Sequence, residues 1–139
     1  MNFHAVIGGL FGDEGKGTIV AKLAMAEPGT VLNVLRIGGA QRGHTVKFKN
    51  NKFTHKHFGS ATYTDADNYF ASSFILDPMQ FRVEYEKSSF HNSLSKFYRS
   101  YNCRWVTPFD IMANQADAKF ENSHNTCGMG IWKTIQRFA

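Results

Sequence analysis

A chain of 139 residues, 42% of them hydrophobic and with a formal charge of +5, can bury one core and is too short for two ordinary domains. Its Lys and Arg residues are scattered, with no zinc-finger spacing and no aromatic motif of the base-stacking kind, which excludes a recognisable reader of nucleic acid. Cys103 and Cys127 lack close spacing and suit a reducing cytosol, and the apolar stretch from Ala5 to Phe11 is too short and too glycine-broken for a signal peptide or a membrane span.

Ala5-Val6-Ile7 is apolar and partly β-branched and stops at Gly8-Gly9, which predicts a short buried strand feeding a glycine loop. After Gly17, the positions Ile19, Val20, Leu23 and Ala24 recur with helical spacing until Pro28-Gly29. Val31 to Leu35 reads as a second strand ending at Gly38-Gly39, so the first segments predict a right-handed βαβ unit with parallel strands. Both glycine loops then open on the carboxyl edge of the sheet, where such folds bind ligands. Alternation around Asn50-Asn51 from Thr45 to His57 predicts a hairpin. Phe70 to Leu76 is a candidate strand, Pro78 to Glu86 a helix, and Arg104 to Val106 another short strand, while residues 88 to 101 have no clear pattern. The fold class expected is α/β, with a mostly parallel sheet flanked by helices.

The first loop, GLFGDEGKGT from Gly9 to Thr18, resembles a phosphate cradle but fits neither common pattern. Leu10 occupies the first glycine position of a P-loop and Gly17 follows Lys16, and the dinucleotide fingerprint is absent as well. A purely structural alternative has Asp13 capping the helix and Glu14 in its first turn, against the positive end of the dipole.

GDEGKG after an apolar strand, followed by GGAQRGHT from Gly38 to Thr45, resembles the adenylosuccinate synthetase family, whose corresponding segments run WGDEGKGK and GGxNAGHT. A third segment, NTCGMGI from Asn125 to Ile131, is similar to the family's GTTGRGIG loop. The resemblance covers the whole chain, as residues 1–139 of the N-terminal part of a single nucleotide-binding domain. It implies a P-loop NTPase-like fold incomplete relative to the family, whose members are more than twice as long, and so a fragment or a split or truncated gene product.

The family ligates L-aspartate to IMP at the expense of GTP, through a 6-phosphoryl-IMP intermediate. The resemblance implies that Asp13 is the base that takes the N1 proton of IMP and His44 the general acid at the 6-oxygen. It implies one Mg²⁺, held by Asp13 and the backbone of Gly43. The GTP phosphates would be cradled by Gly12, Asp13, Glu14, Gly15, Lys16, Gly17 and Thr18, with Gly43, His44 and Thr45 closing from the second loop. IMP would meet Asp13, Glu14, Gly15, Lys16, Gln41, Arg42, Gly43, His44, Thr126 and Cys127. A homodimer in the cytoplasm, that of the host for a viral protein, is the further implication, with neither nucleic acid nor membrane as partner.

The chain departs from the family at Gln41 and Arg42, which replace Asn and Ala, and at Cys127 and Met129, which replace Thr and Arg. The exchanges leave the phosphoryl-transfer residues in place and leave open the monophosphate, since some phage relatives accept dGMP, and the donor, ATP instead of GTP. An inactive nucleotide-binding remnant is the alternative from a different class.

Overall fold

The structure is a computed structural model that describes residues 3–9, 12, 14–27, 31–35, 39–48, 51–87, 96–120 and 126–139; for His44, Phe48, Asn51 and residues 118–120 it describes the backbone. In chain order the elements are α1 (Lys16–Ala26), β1 (Leu32–Leu35), β2 (His44–Phe48), β3 (Asn51–His55), a 3-10 turn (Thr62–Thr64), β4 (Asp67–Phe70), β5 (Ile75–Leu76), α2 (Pro78–Lys87), β6 (Phe97–Arg99), β7 (Arg104–Trp105), α3 (Pro108–Phe120) and α4 (Ile131–Arg137). Strands β1, β4 and β6 form a parallel sheet in that order, β5 and β7 a second parallel pair, and β2 and β3 an antiparallel hairpin. The mostly parallel α/β architecture expected from the sequence is therefore the one observed.

Two local expectations are corrected. Residues 3–9 form no strand, and Ile7 is 86% exposed. Three apolar residues before a Gly-Gly pair offer few ladder hydrogen bonds, and this segment is tied by polar contacts instead: His4 Nε2 lies 2.8 Å from Glu27 Oε1 at the far end of α1. The parallel partner of β1 is accordingly β4, in the register Leu32↔Asp67 to Leu35↔Phe70, and not a strand at Ala5 to Ile7. The expected strand from Phe70 to Leu76 is broken in two by a turn at 71–74, closed by Phe74 N–H donating to Ala71 O at 3.0 Å.

Two helices begin at a Pro in the first helical position, where a missing N–H costs nothing. Asp77 Oδ1 accepts from Met79 N and Gln80 N at 3.0 and 3.1 Å at the head of α2. At α3, Thr107 N and Thr107 Oγ1 both donate to Asp110 Oδ2 at 2.8 Å, a reciprocal box between the cap and the third helical residue. Strand β6, placed within the stretch that had no pattern, aligns beside β4 through Phe97↔Asn68 to Arg99↔Phe70.

The main core joins Leu35, Phe70, Phe74 and Cys103, with Leu76, Phe81 and Phe97 packed on it. Ring pairs such as Phe58–Phe81, edge to face at 5.4 Å between centroids, extend it under α2. A second cluster of small residues, Ala24, Ala61 and Ala66 with Val20 and Val31, lets α1 lie close on the 3-10 turn. Between the two, the buried Asn68 amide accepts from Gly59 N and Thr62 Oγ1 and donates to Ala66 O, so its polar atoms are satisfied.

Candidate functional site

The first loop is built by backbone geometry. Gly12 and Gly15 have φ of 114° and 76°, a region that side chains rarely tolerate, and Gly15 is the N-cap of α1. Its carbonyl accepts from Thr18 N and Ile19 N at 3.0 and 3.2 Å, and the helix start carries no side-chain cap. Glu14 therefore precedes the cap instead of lying in the first turn, which removes the dipole explanation proposed for it. Its carboxylate bonds the Lys16 ammonium and accepts from Gly12 N at 3.3 Å, while Lys16 Nζ also donates to Gly12 O at 3.1 Å. Lys16 is thus folded onto its own loop with Glu14 as counter-ion. Asp13, expected to be the base, a metal ligand and alternatively the cap, lies outside the described residues.

The second loop approaches because Gly17 has no side chain. A Cβ there would sit 2.9 Å from Thr45 O and from Ser60 Oγ, so the head of α1 lies flush on β2. The first turn of α1, which holds Lys16, Gly17 and Thr18, is thereby brought against Thr45. The side chain of His44 lies outside the description; its backbone pairs with His55 in the hairpin. Thr45 Oγ1 sits 3.2 Å from Thr54 Oγ1, directly across the ladder. Gln41, Arg42 and Gly43 are exposed, and Arg42 N donates to Gly39 O at 3.1 Å in the turn that presents them.

The third loop reaches the second through Gly39, where a Cβ would lie 3.5 Å from Ile131 Cδ1 and 2.7 Å from Ile75 O. Thr126 is not a free hydroxyl: it donates to Asn114 Oδ1 at 3.1 Å and accepts from Asn114 Nδ2 and Gly128 N at 2.9 and 3.2 Å. Asn114 Oδ1 also accepts from Gly130 N at 3.1 Å, so one buried amide on α3 shapes the loop. Cys127 is exposed and free. Gly128 and Gly130 are left-handed, with φ of 66° and 72°. Arg137 of α4 grips Asp110 through two nitrogens, at 3.0 and 2.9 Å, and donates to Trp105 O at 2.7 Å. The Arg137 hydrogen bonds, opposed by burial and joined by those from Thr107, hold the Asp110 carboxyl at about 2.

Sequence reasoning had no role for Asn114, His55 or Tyr63. His55 Nε2 is bonded to the Tyr63 hydroxyl, and burial first, then the nearby Glu84 carboxylate, pushes that phenol up. The alternation in Lys52 to His55 was visible, but the pairing of His44 with His55 depends on the turn register: Phe48 opposes Asn51, which places Asn51 in the strand.

Among the described residues no group of three His, Cys, Asp or Glu is gathered for a metal. Mg²⁺ needs less than that, because it keeps several waters and binds through one or two carboxylates plus substrate phosphates. Gly43 is exposed and lies next in chain to β2, so its carbonyl could join such an oxygen-rich shell if phosphate supplied the remainder. No helix among the described residues is long and apolar enough to cross a membrane.

The family model for adenylosuccinate synthetase matches residues 5–137. The chain is 30% identical over 135 residues to the adenylosuccinate synthetase of Azobacteroides pseudotrichonymphae, an alignment covering 94% of this chain and 32% of that one. It is 30% identical over 132 residues to that of Archaeoglobus fulgidus, covering 94% and 38%. In fold it is similar to the fully ligated adenylosuccinate synthetase from Plasmodium falciparum, with a TM-score of 0.68 at 16% identity over 94% of this chain and 32% of that one. The chain thus spans about a third of the length of these relatives.

Proposed function

The chain belongs to the adenylosuccinate synthetase family, and from that premise we propose that it carries the phosphoryl-transfer half of a GTP-dependent ligation of L-aspartate to IMP, a step of purine nucleotide biosynthesis. The observation that carries this reading is the contact of Gly17 with Thr45, which sets two glycine loops side by side at an uncapped helix start. Free N–H groups at a helix head favour phosphate oxygens, and the glycines allow close approach.

In this reading Gly12 to Thr18 and Gly43 to Thr45 hold the triphosphate, and Lys16 leaves Glu14 to offset charge on the transferring group. Asp13 takes the N1 proton of IMP, and the 6-oxygen forms a bond to the γ-phosphorus as the bond to the β-γ bridging oxygen breaks and GDP departs. His44 donates a hydrogen bond at the 6-oxygen; the aspartate amine then attacks C6, and phosphate leaves as the amine gives up its proton. Mg²⁺, when held by Asp13 and the carbonyl of Gly43, would supply charge neutralisation on the phosphates. Gln41, Arg42 and Cys127, with the backbone at Thr126, would face the monophosphate, because the Thr126 hydroxyl is already spent on Asn114 and Gly128.

The departures at Gln41, Arg42, Cys127 and Met129 leave a second reading at the level of substrate, dGMP in place of IMP. The test is an assay of GTP- and aspartate-dependent succinylation of IMP and of dGMP, with ATP as alternative donor, run with the chain alone and with the C-terminal remainder of a relative added. Product in any format, lost in Asp13→Asn while nucleotide binding persists, is the expected result. Absence of turnover in every format together with GTP-Mg²⁺ binding by calorimetry would leave a nucleotide-binding remnant, and absence of both would refute the reading.

A further inference from the structure

Strands β4 and β6 are interrupted at matched positions. Phe70 pairs with Arg99 before the break and Ile75 with Arg104 after it, so the turns at 71–74 and 100–103 are of equal length and the register is kept across them. Each is closed in the same way, by Phe74 N donating to Ala71 O and Cys103 N to Ser100 O, both at 3.0 Å. Cys103 Sγ lies 3.5 Å from Phe74 O, which locks the two turns together from the buried side. The paired turns also border a cavity of about 410 Å³, lined by Ser72, Ser73, Asn102, Ile75, Arg104 and Ile135.

The volume is within the range of sites for small molecules, on the order of 300–1,000 Å³. The lining has a chemical sense. The side chains of Ser72, Asn102 and Arg104 make no hydrogen bond or ion pair with the described residues, although Arg99 beside them is stacked on Trp105 and Arg137 is bound to Asp110. One guanidinium, one amide and one hydroxyl, unpaired among the described residues, line a hollow whose remaining walls include two isoleucines. The hollow lies at the interruption between the β4–β6 and β5–β7 pairs, where Ser72, Ser73 and Asn102 are exposed.

We propose that this cavity is a binding site for a small organic anion, with Arg104 as its counter-ion and Ser72 and Asn102 as its hydrogen-bond donors. Phosphate and carboxylate share the required chemistry, a planar or tetrahedral oxyanion that the guanidinium fork can grip. The site is separate from the glycine loops but touches their support, since Gly39 rests on the carbonyl of Ile75.

The experiment is a titration of the isotopically labelled full chain with inorganic phosphate and, separately, with succinate, followed by amide and arginine side-chain resonances. Saturable shifts at Ser72, Asn102 and Arg104 are expected, with the tighter of the two anions identifying a phosphoryl or a carboxylate ligand. Arg104→Gln should weaken binding by about tenfold or more and Asn102→Ala by about threefold, the scale of lost charge-assisted and neutral hydrogen bonds. Lys16→Ala, which alters only the glycine-loop cradle, should leave the shifts at Ser72 and Arg104 unchanged. No saturable shift with either anion up to tens of millimolar, or the same affinity in an Arg104→Gln chain whose spectrum keeps its native dispersion, would overturn the proposal.

Discussion

Replacing Asp110 by Asn tests whether the third glycine loop is held from behind by charge. Asp110 is 5% exposed, accepts from Thr107 at the head of α3 and receives two nitrogens of Arg137 from α4. Gly130, the N-cap of α4, packs so closely on the Asp110–Ile111 peptide that a Cβ would stand 2.8 Å from Ile111 N. A carboxyl held at about 2 instead of 3.8 contributes about 2 kcal/mol to the folded state at neutral pH. Asn keeps an acceptor for Thr107 and removes the charge, so the expected loss is about 2 kcal/mol, or about 6–8 °C in Tm for a chain of this size. The pH dependence has a definite sign. The folded carboxyl titrates below the unfolded one, so the stabilisation is complete above 3.8 and is lost as the pH falls through about 2. Thermal unfolding followed by circular dichroism from neutral pH downward should therefore show the two chains converging in that window. An Asp110→Asn chain as stable as the parent at pH 7, or a gap that persists undiminished below pH 2, would refute the reasoning.

Gly130→Ala should cost about 2–3 kcal/mol, combining a left-handed φ of 72° with a backbone clash, whereas Gly9→Ala, with nothing within 4 Å, should be neutral within about 0.5 kcal/mol; urea unfolding of the pair checks both. Glu84→Gln should destabilise by about 1–2 kcal/mol, because the carboxylate accepts from Lys56 N at 2.8 Å and His57 N at 3.0 Å where β3 runs under α2. Burial would push the Glu84 carboxyl up, but the His57 ring, whose Nδ1 lies 3.6 Å from Oε2, and the hydrogen bonds from both amides outweigh it and hold it below 4.5. That contribution is present above 4.5 and is lost as the pH falls through the lower folded value, so unfolding midpoints of Glu84→Gln and parent should approach each other in acid.

Sequence patterns announced some of this fold more clearly than others. Helices α1 and α2 and the hairpin were legible because apolar spacing, Pro78 and alternation are local signals. Helix α3 was missed although Thr107-Pro108-Phe109-Asp110 spells its start, a capping box followed by proline that outweighs the weak apolar stripe. The split between β4 and β5 was not legible, since Ala71 to Phe74 contains no Gly or Pro and the break is matched by one between β6 and β7, far along the chain. At the site, the glycine loops were placed by sequence on one edge, and the Gly17–Thr45 and Gly39–Ile131 approaches bring them together. The use of Thr126 as a loop pin could not be read from the chain, because its partner Asn114 lies on the helix that was not foreseen.

The acidic residues in a phosphate-type loop acquire a physical reason from Lys16. A lysine that must meet phosphate cannot be left unpaired on a loop of glycines, where its long side chain would sample many rotamers and lose entropy on every binding event. Glu14, bonded to Lys16 while Gly12 O accepts from the same ammonium, keeps it folded over the head of α1. The pair is partly exposed, with 34% and 24% of the two side chains accessible, so water screens it and the attraction is of the order of 1 kcal/mol or less. Under the proposed function a nucleotide phosphate, carrying more charge and met at once by the N–H groups of an uncapped helix, would outcompete a single carboxylate held so weakly. On that reading Glu14 would act as a placeholder that positions the cation without trapping it, a more specific role than dipole stabilisation and a reason for an acid two residues before the lysine.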